Sequence, residues 1–204
     1  MKRIIALFLA LVLLTGTFAA CSKEDVSSTN KTDSITAIKE GIQNGKIPEI
    51  DFALGDNPDG IKKHFDDLLA GGDHAEEGDH NHSHDEVTSF TVTEGFTTVK
   101  MDAGKFVYHY EKDKKSNGVS VIVSFTKAFG FTSGETTMQE VSACFDQNAI
   151  TKFTASEDDM YFLVFPLENT MILRNESGDT RLDFYFNENV LVAVVLMDKN
   201  NWTV

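Results

Sequence analysis

Four histidines and six carboxylates fall within fourteen residues, Asp73 to Glu86, reading DHAEEGDHNHSHDE, with no basic side chain and no apolar one larger than Ala75. These donor types suit a borderline cation. A zinc ion takes about four nitrogen, sulfur or carboxylate donors in a tetrahedron. His80, His82 and His84 stand at alternate positions, which project to one side of an extended chain. His74 or Asp79 supplies the fourth donor. Asp73, Glu76, Glu77, Asp85 and Glu86 attract the cation and hold imidazole N–H groups. Zinc fits best, with nickel or copper(II) as alternatives, whereas calcium and magnesium prefer oxygen. Gly71, Gly72 and Gly78 raise the ordering cost of the stretch, so any bound metal is expected to be labile. The plainer alternative is a solvated acidic insertion.

Other reactive side chains carry less. Cys144 lies three residues after Val141 and one before Phe145, the position of a small buried hydrophobe. His109, between Tyr108 and Tyr110, has no marked partner for acid–base work. The cluster Glu157 to Tyr161 lacks the spacing of a calcium loop. Trp202 near the C-terminus reads as a terminal staple. No paired acid and base or activated nucleophile stands out, and no enzyme is expected.

The first residues carry Lys2 and Arg3, then an apolar run from Ile4 to Leu14, then small residues up to Cys21, the layout of a secretory signal too short to span a bilayer comfortably. The segment TFAAC resembles the lipobox of bacterial lipoproteins, which implies cleavage before Cys21 and diacylation of its thiol. Residues 1–20 are expected to be the signal peptide and 21–33 a lipidated cysteine with a polar tether. Loss of Lys2 and Arg3 takes the net charge from −14 to −16. Such a surface repels nucleic acid and anionic lipid, so membrane attachment falls to the lipid on Cys21. The expected location is the extracytoplasmic face of the cell membrane. With Cys21 committed, Cys144 alone remains and no disulfide forms.

The elements that position these residues follow from periodicity. Ile35, Ile38 and Ile42 share a helical face ending at Gly45, and after Pro48 breaks the chain Ile61, Phe65 and Leu68 share another. Val141 and Phe145 repeat the Ile61 and Phe65 spacing after a second Gly-containing turn. Each helical stretch precedes segments dense in β-branched and aromatic residues, including KFVYHYEK, GVSVIVSF, MYFLVFPL and TRLDFYF. Phe106, Tyr108 and Tyr110 alternate toward one face, as do Leu182, Phe184 and Phe186.

This plan resembles the fold of beta-lactamase inhibitory protein and its relatives, a tandem repeat of helix-loop-helix packed on antiparallel sheet. The stretch GKIPEIDFALGDNPDGIKKHF is similar to the opening of an exported Gram-positive family known only as a domain of unknown function. The resemblance implies an α+β domain over residues 34–204, with one repeat over about 34–125, carrying the His-rich loop 72–86, and a second over about 126–204. It brings no catalytic residues. The His-rich loop itself resembles those of zinc-uptake lipoproteins. Two functions follow as expectations: metal capture or buffering at the loop, or a protein-binding module gripping an envelope or extracellular protein, with the loop incidental.

Overall fold

The computed structural model describes residues 28–70, 89–156 and 170–202. Helix α1 spans Ser28–Asn44, so it begins inside the stretch expected to be tether. Ile38 is buried, and Ile42 packs against the same core. Gly45 ends the helix in the left-handed region at φ 63°. Asn57 caps helix α2, Pro58–Leu69, by accepting from the Asp59 N–H, and Pro58 opens its first turn. Ile61 and Phe65 are its buried stripe.

The strands form one antiparallel sheet in the order β1-β2-β3-β4-β10-β9-β8-β7. They are β1 (Thr91–Glu94), β2 (Thr98–Asp102), β3 (Phe106–Glu111), β4 (Val121–Ser124), β7 (Thr151–Thr154), β8 (Thr170–Ser177), β9 (Thr180–Asn187) and β10 (Val190–Asp198). A separate ribbon pairs β5 (Lys127–Ala128) with β6 (Phe131–Thr132), and helix α3 spans Met138–Ser142. Glu188 and Asn189, at φ 48° and 72°, make the two-residue β9–β10 hairpin, the turn type that requires positive φ at both central positions. Gly118 permits a close crossing, since a Cβ there would lie 2.1 Å from the Gly55 carbonyl oxygen.

One face of the sheet carries Phe106, Tyr108, Tyr110, Leu182, Phe184 and Phe186, and packs with Ile38, Ile61, Phe65, Phe129 and Val141 in the main core. The expected alternation on β3 and β9 is therefore realised. The opposite face is also buried: Val107, Val121, Val123, Ile172, Tyr185 and Val195 form a second cluster with Trp202.

The expected α+β tandem repeat of helix-loop-helix on sheet, on the plan of beta-lactamase inhibitory protein, is corrected by this architecture. The fold is mainly antiparallel sheet with few short helices. Among the described residues, the second half holds only the β5–β6 ribbon and the five-residue α3 where a helix pair was expected. Phe129, Gly130 and Gly134 adopt φ of 56°, 79° and 86°, which a right-handed helix cannot contain. The Glu49 carboxylate accepts from the N–H groups of Phe129 and Gly130, both at 2.8 Å, and so holds that turn. Thr137 and Glu140 start α3 with a capping box. The Cys144 and Phe145 N–H groups then bond three residues back, to Val141 and Ser142, and the helix closes in turns. The Val141 and Phe145 spacing thus reflects core contacts around a single helical turn.

Candidate functional site

His74, Asp79, His80, His82 and His84 lie outside the described residues, as do Cys21 and the Glu157–Tyr161 cluster. What the structure gives is the framework on either side of the histidine stretch. Ala70 follows α2, and its N–H bonds the Asp66 carbonyl at 3.0 Å. Phe90, just before β1, stacks on Phe65 of α2 with ring centroids 4.7 Å apart and planes within 14°. Offset stacking of this kind contributes about 0.5–1.5 kcal/mol beyond area burial. The helix end and the strand start that flank the stretch are therefore tied by one aromatic contact. Lys62–Asp66 and Lys63–Asp67 pairs line the solvent side of α2; both are exposed and contribute little. Among the described residues, no group of three or more His, Cys, Asp or Glu side chains is placed to hold a metal.

His109 lies on β3, facing the second cluster, with its ring 5.8 Å from that of Trp202. It is only 6% exposed. Burial first, then the Lys100 charge, pushes its pKa down to about 4, while Asp102 pulls weakly the other way. Asp102 itself is raised by burial, but the Lys100 ammonium and the Gly104 N–H outweigh this and leave it lowered. An imidazole of that basicity is a poor general base near neutral pH.

His109 gives the domain a defined acid sensitivity. The unfolded chain takes up a proton near pH 6.5, where the folded imidazole remains neutral, so stability rises with pH between about 4 and 6.5 and is lost as pH falls through that window. The loss approaches roughly 3 kcal/mol at pH 4. Urea titrations across this range are expected to show the slope in the wild type and a flatter one in His109→Phe; equal slopes would remove His109 as the cause.

Cys144 is half-buried on the rim of the core, its thiol 3.6 Å from the Glu140 carbonyl and raised in pKa by burial. This is the environment of an inert thiol. Trp202 is 5% exposed and belongs to the second cluster.

One constellation escaped the residue pattern. Asp183, 0% exposed, sits on β9 opposite Arg174 of β8. Its Oδ1 accepts from Arg174 Nε at 2.8 Å and its Oδ2 from Arg174 Nη2 at 3.0 Å. Arg181, two residues along the same strand, donates from Nε to Oδ2 at 2.7 Å. The Arg174 guanidinium also lies 4.6 Å over the Phe153 ring of β7. Two planar forks on one buried carboxylate lock three strands of the sheet together. The signal was an acid and a base two residues apart inside an apolar strand, but the third partner depends on register.

Among the described residues no helix is long and apolar enough to cross a membrane. No family model and no curated protein matches the chain. Among solved structures it is similar to a DUF4309 family protein, YjgB, from Bacillus subtilis, at 12% identity and a TM-score of 0.46, over 83% of this chain and 97% of that one. A likeness of that degree carries no functional argument.

Proposed function

We propose that this chain is a non-enzymatic surface lipoprotein, anchored through Cys21, whose sheet domain carries a His/Asp-rich stretch that captures or buffers a transition metal, zinc foremost. The observation that carries the reading is the composition of Asp73–Glu86, four imidazoles and six carboxylates with no cation among them. The Phe65–Phe90 stack supports it by fixing the framework beside the stretch, so that ligand ordering need not disturb the core. Zinc binds deprotonated imidazole, and binding is therefore pH-dependent.

The experiment is titration calorimetry on three chains: the intact one, a deletion of Asp73–Glu86, and a His80/His82/His84 triple alanine variant. Zinc binds the intact chain and fades as pH falls through about 6. The deletion and the triple variant lose it, while the melting temperature without metal moves little, since loop closure entropy changes only by roughly 0.6 kcal/mol per doubling of length. Equal zinc binding by all three would place the ligands elsewhere.

The alternative, a protein-binding module gripping its partner with a sheet face, loses support. Most apolar side chains of the central strands are buried on both faces, and the exposed large hydrophobics among the described residues are Leu69, Val92 and Phe96.

A further inference from the structure

Val92 and Phe96 lie on the β1–β2 hairpin, and Leu69 ends α2. Leu69 is four residues beyond Phe65, whose ring stacks on Phe90, and Val92 follows two residues later on β1. Phe96, 99% exposed, forms the tip of the β1–β2 hairpin. Among the described residues β1 is an edge strand, exposed at all four positions and paired on one side only.

Its hydrogen-bonding side is fixed by the hairpin. The Gly95 N–H donates to the Thr98 carbonyl at 2.9 Å. Bonded pairs then alternate along the register, so Thr93↔Lys100 and Thr91↔Asp102 are bonded to β2. The main-chain N–H and C=O of Val92 and Glu94 therefore point out of the sheet.

We infer that β1 is a self-pairing edge, joining two copies of this chain through an antiparallel β1–β1 ladder with its two-fold axis at Val92. In that register Val92 meets Val92 of the second copy as a bonded pair, Glu94 meets Phe90, and Thr91 meets Thr93. The sequence Thr91-Val92-Thr93 is the same in both directions, as an isologous contact needs. The strand is β-branched and free of Pro, Lys and bulges, the devices that block edges. Its one charge, Glu94, is balanced within the chain by Lys112 at 3.3 Å. A second copy thus meets no uncompensated like charge on the strand, although the whole chain is at −14. The other edge is built differently. The Ala155 N–H bonds the Thr170 carbonyl, so Lys152 and Thr154 turn their main-chain groups outward, and self-pairing centred on Lys152 would set two ammonium groups face to face.

The register is tested by cross-linking in the full chain, with Cys21 and Cys144 replaced by Ala. Thr91 and Thr93 of two copies form a non-bonded pair, with Cα atoms about 4.5 Å apart, within disulfide range. A mixture of Thr91→Cys and Thr93→Cys chains is expected to oxidise to a covalent dimer, with roughly tenfold less product from either alone. Val92→Pro removes an outward N–H without touching the β1–β2 ladder. The dimer loses two hydrogen bonds and weakens about thirtyfold. Val92→Lys, which sets like charges opposite each other, must also weaken it. Sedimentation of the full chain in detergent should show more dimer as salt rises, because screening over about 3 Å at 1 M removes the net repulsion. No product in the mixture, equal product in mixed and single samples, or dimer unaffected by both Val92 variants with their circular dichroism intact would each overturn the proposal.

Discussion

Phe184→Ala lowers the stability of the domain by about 3–5 kcal/mol, the cost of emptying a buried aromatic site. Phe184 is 0% exposed on β9. Its ring lies 5.9 Å from Phe131, edge to face, 5.9 Å from Phe145, edge to face, and 6.3 Å from Phe129, tilted. Those three partners come from the β5–β6 turn, β6 and the end of the α3 region, so one side chain holds the irregular middle of the chain onto the sheet. Collapse around the cavity is opposed because Phe129 is fixed from its backbone by Glu49. Leu at this position should recover part of the loss by refilling volume. A urea midpoint unchanged in Phe184→Ala would mean that these rings do not share the core. Losses of this size consume a large fraction of a marginal stability.

The face carrying Phe184 was legible because Leu182, Phe184 and Phe186 alternate, as do Phe106, Tyr108 and Tyr110, and all six reach the main core. The opposite face was harder to read. Segments such as Val121-Ile122-Val123 are apolar at every position because both faces of the central strands are buried, and a continuous run has no period to assign. β7, with Phe153 between Lys152 and Thr154, gave too short and polar a segment to stand out as a strand. The second helix-loop-helix failed for a backbone reason: no propensity scale signals that Phe129, a bulky residue, takes φ 56° because a carboxylate eighty residues earlier bonds its N–H. The ligand-rich stretch was legible from composition alone. Its framework was not, since Phe65 and Phe90 stack across twenty-five positions of sequence.

Asp183→Ala should also cost about 3–5 kcal/mol, for a different reason. The single carboxylate is fully buried and receives both Arg174 and Arg181, whose side chains are 20% and 19% exposed. Removing it leaves two guanidinium groups facing each other in a largely desolvated site, and breaking a buried ion pair from one side carries that penalty. The cost belongs to the orphaned cations rather than to a lost attraction. Replacing the cluster together, as Arg174→Met, Arg181→Met and Asp183→Leu, exchanges charge for apolar volume beside Phe153 and Ile172, neighbours across β7 and β8. The triple variant is therefore expected to be more stable than Asp183→Ala alone, a non-additivity that only a shared site produces. Asp183→Asn should fall between, keeping an oxygen acceptor and losing the charge. Urea unfolding of the wild type and these three variants decides it: if the triple variant is no more stable than Asp183→Ala, the orphaned guanidinium groups are not the source of the cost, and the cluster does not lock β8 to β9.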